Sequence, residues 1–195
     1  IGCDLKTLVE QVLAQTAVPR VRLGSLEPWE LADGFWSLFD NPRLMPHLHL
    51  PLQSGADSVL RRMSRRCHSA DFRELVQQAR QAVPGFGITT DIIVGFPGET
   101  DEEWQQTVAF ARAMPFSHIH IFAYSPRAGA KAASMPNQLS RSVKRARSRQ
   151  LHTLAQAGRR QILSRAVGQT FEVLIEGRNG DDTHWSGYTP NFLRI

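Results

Sequence analysis

Two stretches decide the fold of this chain, His49-Leu-Pro-Leu-Gln-Ser-Gly55 and Asp91-Ile-Ile-Val-Gly-Phe-Pro-Gly-Glu-Thr100. Each is an apolar, strand-like run that ends abruptly in polar and glycine residues and is followed by a helical pattern. This order places polar groups at the carboxyl ends of successive parallel strands. Parallel α/β folds bind their ligands at that edge of the sheet. We therefore expect the functional site there.

The same alternation of strand and helix repeats along the chain. Strand-like runs cover residues 18–26, 47–52, 87–96 and 118–124, and helical patterns cover 5–13, 29–39, 57–63, 70–83 and 100–114. This serial pattern predicts an α/β fold with a parallel sheet and helices outside it. Four units are too few to close a barrel, so we expect the later part of a larger barrel or half-barrel. No Gly-x-Gly-x-x-Gly follows the first strand, which disfavours a dinucleotide fold.

The C-terminal third has a different pattern. Residues 127–139 are rich in proline, glycine and small residues and predict a loop, and residues 140–167 predict one long basic helix. Strand-like runs at 170–175 and 185–195 flank a turn at 178–182 and indicate the start of a small β domain. The predicted domains are therefore residues 1–166 and 167–195.

The charges are segregated along the chain, whose formal net charge is +5. Between Glu103 and Glu172 there are eleven basic residues and no acidic residue. A segregated basic half favours a polyanionic partner, most simply a nucleic acid. The alternative is a solvated, arginine-rich helix without a partner.

The composition excludes several classes of protein. A hydrophobic content of 42% is ordinary for a globular protein, and no apolar run is long enough to span a membrane. Two cysteines, Cys3 and Cys67, are too few for a disulfide framework. The first residues do not resemble a signal peptide, and we interpret the N-terminus as a cut end. We expect a cytoplasmic protein.

Polar residues follow each predicted strand, and glycines there allow close approach of a ligand to the backbone. The candidates are Ser25 and Glu27, Gln53 and Ser54, Asp91, Glu99, and Tyr124-Ser-Pro-Arg127. The alternatives are structural: Glu99 at a helix start, Asp91 in the core, and Gln53 and Ser54 as caps. His47, His49, His118 and His120 alternate on two strands, but we find no carboxylate at a matching position and predict no metal site. No nucleophile–base pair stands out, so we name no catalytic residue.

These motifs, with Phe122-Ala-Tyr-Ser-Pro-Arg-Ala-Gly129, resemble the radical S-adenosylmethionine methylthiotransferases over essentially the whole chain. Such enzymes insert a methylthio group into a tRNA base or a ribosomal protein. Arg20-Val-Arg-Leu-Gly-Ser-Leu-Glu-Pro28 and Gly187-Tyr-Thr-Pro-Asn-Phe-Leu-Arg-Ile195 are most similar to the branch that acts on C2 of threonylcarbamoyladenosine 37, beside the tRNA anticodon. The β region resembles the start of a TRAM domain, a small RNA-binding barrel.

The resemblance implies a radical SAM barrel of partial TIM type and S-adenosylmethionine as cofactor, cleaved to a 5′-deoxyadenosyl radical. It implies two [4Fe–4S] clusters whose cysteine ligands lie upstream of this chain. It also implies cofactor-binding roles for Ser25, Glu27, Gln53, Ser54, Asp91, Gly95, Phe96, Phe122 and Ala123, and RNA contacts for Arg127, Arg145, Arg149 and Arg160.

Some residues depart from the family pattern. Gly24 replaces a usual serine, and Ala128 and Lys131 replace prolines of a usual Arg-Pro-Gly-Thr-Pro loop. Three alternatives stay open at this point: the isopentenyladenosine branch, the ribosomal-protein branch, and a non-catalytic RNA-binding protein. The fragment alone is expected to be inactive.

Overall fold

Three parallel strands form the centre of the computed structural model, which describes residues 4–31, 34–178, 180 and 183–195. The strands are β1 (His47–His49), β2 (Gly87–Val94) and β3 (His118–Ala123), in the order β1-β2-β3. His47 pairs with Gly87, and Thr89 pairs with His118. The prediction of an α/β fold with a parallel sheet is confirmed.

Helices follow each strand of this sheet in the chain, and one further helix precedes β1. They are α1 (Leu5–Gln15), α2 (Asp57–Arg62), α3 (Ser69–Ala82), α4 (Asp101–Ala113) and α5 (Arg141–Ala166). Asp4 begins α1 by accepting a hydrogen bond from the Thr7 backbone N–H at 2.8 Å. Thr100 and Glu103 form a capping box at the start of α4. The N-cap of α3 is His68, whose backbone N–H donates to the Asp71 carboxylate.

The core lies between the sheet and the helices on one side of it. Alternate strand residues, such as Leu48, Ile88 and Ile92, are fully buried there. They join a cluster with helix residues such as Phe72 and Trp104. Because side chains alternate across a strand, the residues in between lie on the opposite face. We call that face the open face; it carries His47, His49, Thr89, Asp91, His118 and His120.

Two predicted elements near the N-terminus are wrong. Residues 18–26 form no strand but only isolated parallel bridges, Val21 with Leu44 and Ser25 with His49. Proline and glycine interrupt this run, which limits its hydrogen bonding. The helix predicted at 29–39 is replaced by two 3₁₀ turns, Pro28–Glu30 and Phe35–Asp40. Gly34, at a φ of +70°, precedes the second turn, and Ala32 and Asp33 lie outside the described residues.

The C-terminal strands, β4 (Leu174–Arg178) and β5 (Trp185–Tyr188), pair antiparallel. The predicted strand at 170–175 therefore begins four residues late, and most of the turn at 178–182 lies outside the described residues. The segment after β5 packs against the amino end of the central sheet. The Phe192 ring stacks on His47 at 4.3 Å, and Asn191 Nδ2 donates to the Gly85 carbonyl. The boundary at residue 167 stays a prediction.

The loop predicted at 127–139 contains one 3₁₀ turn, Lys131–Ser134. Within the described part of the chain, we find no helix with the length and apolar character that a membrane crossing requires.

Candidate functional site at the carboxyl ends of the strands

The backbone after β1 continues beside β2 as far as Gln53. The Gln53 N–H donates to the Asp91 carbonyl at 2.8 Å, and the Ile93 N–H donates to the Gln53 carbonyl at 2.9 Å. Gln53 has a φ of +78°, which is unusual for a residue other than glycine. This left-handed backbone turns the chain away from the sheet at its carboxyl edge. Backbone strain at a ligand-facing edge is typical of functional sites.

The turn after β2 is built from Gly95 to Glu99. Gly95 and Gly98 both have a φ of +74°, a conformation that glycine adopts without steric cost. The Gly95 N–H donates to a Glu99 carboxylate oxygen at 2.9 Å, and the Glu99 N–H donates to the Phe96 carbonyl. The carboxylate therefore closes the turn on itself.

Arg147 of the long basic helix α5 forms an ion pair with Glu99. The Arg147 guanidinium lies 2.7 Å from Glu99 Oε2 and also contacts the exposed Asp101. The Glu99 and Arg147 side chains are only 0% and 7% exposed. Burial raises the pKa of Glu99 above its ordinary value, while the Gly95 N–H and Arg147 oppose that rise. Arg147 thus stabilises the turn, and it is not available to a nucleic acid.

The end of β3 brings an exposed aromatic ring to the same edge. Phe122 is 53% exposed, and Ala123 beside it is also exposed. Tyr124, which follows, is held in place by two contacts. Lys144 Nζ donates to its carbonyl at 2.9 Å, and the Phe96 ring meets its ring edge-on. The sheet register places Phe122 opposite Ile93, next to the Gly95 turn. A flat ligand can therefore stack at this edge against Phe122.

The structure brings some of the predicted cofactor residues together and separates others. Gln53, Gly95, Phe122 and Ala123 share the carboxyl edge, as predicted. The Ser54 side chain is fully buried and its hydroxyl contacts Thr107 Oγ1 at 3.0 Å. Its hydroxyl also accepts the Ala56 backbone N–H, the capping role that we left open.

The Phe96 side chain is also buried, and its carbonyl already accepts the Glu99 backbone N–H. Ser25 is exposed beside β1, where it bridges to His49. The Glu27 carboxylate is engaged by the Arg65 guanidinium, which also donates to the Pro51 carbonyl. Asp91 lies on the open face, and its carbonyl accepts the Gln53 N–H at 2.8 Å.

The basic helix presents a continuous charged side. Arg145, Arg149 and Arg160 are all exposed, and at 100° per residue they fall within about 60° of one another around α5. The buried side of α5 lies opposite, at Arg147, Leu151 and Leu154. Arg127, in the loop after β3, is exposed as well. This basic face suits a phosphate backbone.

Sequence reasoning missed a cluster of titratable side chains on the open face. His49 Nε2 lies 3.3 Å from Asp91 Oδ1, and Asp91 is paired in register with His120. Our statement that no carboxylate matches the histidines is therefore wrong. Asp91 follows the same alternation as His49, but only the pairing of the strands shows that they meet. Burial lowers the pKa of the neighbouring His47 to about 3, so that histidine is neutral.

The described residues do not supply ligands for an iron–sulfur cluster. Cys67 is the one cysteine among them; it is buried and donates to the His68 carbonyl. Burial raises the pKa of its thiol to about 11. Clusters are bound by about four thiolates, so this part of the chain does not fit one. The carboxyl edge, with the exposed aromatic ring of Phe122, does fit an adenosine-containing cofactor.

Known proteins are similar to this chain over nearly its whole length. Residues 16–111 match the model of the radical SAM superfamily. A threonylcarbamoyladenosine tRNA methylthiotransferase of Bacillus subtilis is 33% identical over 98% of the chain, and one of Thermotoga maritima is 40% identical over 90%. The chain belongs to the radical SAM methylthiotransferase family.

A third member of this family is a tRNA-2-methylthio-N(6)-dimethylallyladenosine synthase of Alkalilimnicola ehrlichii, 36% identical over 97% of the chain. The chain spans less than half the length of these relatives, 42%, 41% and 43% respectively. Radical SAM enzymes use S-adenosylmethionine and an iron–sulfur cluster. The identities to the two types of tRNA enzyme are similar, so they do not separate the two substrates.

Proposed function

We propose that this chain forms the later strands of the catalytic barrel of a tRNA methylthiotransferase. One observation carries the proposal: nearly the whole chain aligns with enzymes named for methylthiolation of tRNA adenosines. The geometry supports it, because three parallel strands end at one edge that carries the exposed Phe122 ring. The reaction replaces the C2 hydrogen of the adenine ring with a methylthio group.

The carboxyl edge would hold S-adenosylmethionine, which supplies the radical chemistry when bound. The Gln53 side chain would bind the ribose or methionine end, and the backbone at Gly95 and Phe96 would bind the adenine. Phe122 and Ala123 would cover the other side of the ring. Ser54 would act by closing the turn after β1, since its hydroxyl is already bonded.

Polar residues inside the barrel would complete the site. Ser25, Glu27 and Asp91 are the candidates, and Glu27 is oriented by its ion pair with Arg65. The Glu99–Arg147 pair would keep the Gly95 turn closed beneath the ligand. In the complete enzyme, two [4Fe–4S] clusters would be bound by cysteines outside this chain.

The partner would be tRNA, bound at its anticodon loop with adenosine 37 at the carboxyl edge. Arg127 and the basic face of α5, formed by Arg145, Arg149 and Arg160, would contact phosphates. Residues 167–195 would begin a TRAM-like RNA-binding domain. Such an enzyme would work in the cytoplasm, where tRNA is modified.

The substrate would be N6-threonylcarbamoyladenosine. The Ser25-Leu-Glu-Pro28 segment supports this choice, because it resembles the threonylcarbamoyladenosine branch of the family. The second candidate is dimethylallyladenosine, which the Alkalilimnicola relative favours.

A competition experiment distinguishes the two substrates. The complete gene product, with clusters reconstituted, is given equal amounts of two tRNAs, one carrying each modified adenosine, and the nucleosides are separated by mass spectrometry. We expect the methylthio group on threonylcarbamoyladenosine. Methylthiolation of dimethylallyladenosine alone would favour the second candidate, and methylthiolation of neither tRNA would overturn both.

A further inference from the structure

Three side chains, one from each strand of the central sheet, meet on the open face. They are His49 of β1, Asp91 of β2 and His120 of β3. One ligand atom from each lies within 4.8 Å of the other two. The imidazole of His49 approaches the Asp91 carboxylate to 3.3 Å, and the His49 and His120 rings are 5.4 Å apart between centroids.

The backbone fixes this arrangement. Asp91 and His120 are register partners, while His49 pairs with Thr89, two residues before Asp91 on the same face. In a parallel sheet, neighbouring strands lie about 4.8 Å apart, so side chains at one level of one face converge. The three residues are therefore held by strands, which position ligands more precisely than loops do.

A further contact orients His49. Its Nδ1 lies 3.0 Å from the Thr89 hydroxyl, which also lies 3.1 Å from His47 Nε2. Thr89 is only 2% exposed, so this hydroxyl is fixed in place. The contact leaves His49 Nε2 directed at Asp91. Histidines that bind metals commonly use their second nitrogen in this way, which fixes the tautomer and the plane of the ring.

We propose that His49, Asp91 and His120 bind one divalent transition metal ion of the zinc or iron(II) class. Two imidazoles and one carboxylate form the donor set that binds such ions and leaves further positions open. Asp91 supplies the negative charge and the histidines the borderline-soft nitrogens. The ion would connect the three strands on their open face, with water in its remaining positions.

This site adjoins the proposed cofactor edge, because the Gln53 N–H donates to the Asp91 carbonyl at 2.8 Å. It also shares Asp91 with the polar residues proposed to complete the cofactor site. The inference does not rest on the proposed function, since it uses only side chains of the described sheet. It also needs no cysteine, unlike an iron–sulfur cluster.

Metal titration of the untagged 195-residue chain tests the proposal. Co²⁺ alone is added while its visible d–d absorption is followed, and Zn²⁺ is then used to displace it. We expect saturation at one ion per chain. His120→Gln and Asp91→Asn should each weaken Co²⁺ binding by more than about tenfold, and Thr89→Val by about tenfold or more, because removing an outer-sphere partner costs roughly 10–100-fold.

His152→Gln is the matched control, since His152 is an exposed histidine on α5 outside the cluster. Its affinity for Co²⁺ should equal that of the parent. Circular dichroism and melting of each variant check that it is folded; His120 is exposed, so His120→Gln is the variant least disturbing to the core. A folded parent that does not saturate with Co²⁺, or a folded His120→Gln and Asp91→Asn pair with unchanged affinity, would overturn the proposal.

Discussion

Replacing Arg147 by methionine should destabilise this chain far more than replacing any arginine of the basic face. The side chains of Arg147 and Glu99 are 7% and 0% exposed, so the change leaves a buried carboxylate without its counter-ion. Removing one partner of a buried pair costs about 3–5 kcal/mol. In a chain of this length, that destabilisation lowers the melting temperature by about 6–20 °C.

The matched control is Asp101→Asn, which removes the second carboxylate bound by Arg147. Asp101 is 89% exposed, so its replacement should cost at most about 1 kcal/mol. Both variants are compared by urea denaturation at pH 8 and pH 5. Burial already raises the pKa of Glu99 above its value in the unfolded chain. Protonation of Glu99 therefore favours the folded state at low pH, and this contribution is lost as the pH rises. The Arg147→Met penalty should therefore shrink at pH 5.

The double variant Glu99→Gln with Arg147→Met completes the cycle. Because a buried glutamine needs no counter-ion, the double variant should lose less stability than Arg147→Met alone. If Arg147→Met and Asp101→Asn destabilise equally, and the penalty does not change with pH, the pair does not hold the Gly95 turn as described.

Three other predictions concern the edge, the acid range and the basic face. Gln53→Gly removes the steric cost of a φ of +78°, so the melting temperature should stay the same or rise. The same change should weaken S-adenosylmethionine binding by the complete enzyme, and unchanged binding would mean that Gln53 is not part of the site. The Arg62 side chain lowers the pKa of Glu103 to about 2, so the stability that this pair contributes above the ordinary pKa of 4.5 should be lost as the pH falls towards 2. That loss should amount to about 1–2 kcal/mol after solvent screening. Glu103→Gln should make it smaller, as measured by melting at acid pH. Charge reversal of Arg145, Arg149 and Arg160 together should weaken the salt dependence of tRNA binding. The slope of log affinity against log salt should fall by roughly 0.7–0.9 for each phosphate that the protein no longer neutralises. Charge reversal of the exposed Arg61 and Arg66 is the control, and an equal effect there would mean that α5 has no special role.

The strand–helix alternation was readable from the sequence because each of these elements carries its own pattern. The run at 87–96 ends in Gly95 and Pro97, and Thr100 with Glu103 predicts the start of α4 within one residue. The prediction of a strand at 18–26 was wrong, because an apolar run forms a strand only where a neighbouring strand pairs with it along its length. The 29–39 segment contains Gly34, whose positive φ is incompatible with a continuous α-helix.

The site was predicted less completely because its contacts are long-range. That Asp91 meets His49 and His120 depends on register, which local patterns do not determine. Arg147 carried a signal that we did not use: it lies four and seven residues before the apolar Leu151 and Leu154, on the buried side of α5. A basic residue in phase with an apolar stripe predicts a buried ion pair. Ser54 carried no such signal, since its partner Thr107 lies on α4, far away in the sequence.

The formation of 5′-deoxyadenosine tests the proposed function most directly. The complete gene product, with its clusters reconstituted without oxygen, is incubated with S-adenosylmethionine, a reductant and tRNA that carries threonylcarbamoyladenosine. We predict that 5′-deoxyadenosine and the methylthiolated nucleoside accumulate together, and that both disappear when the reductant is omitted. A protein that binds this tRNA with a steep salt dependence but forms neither product would contradict the account and favour a non-catalytic RNA-binding protein.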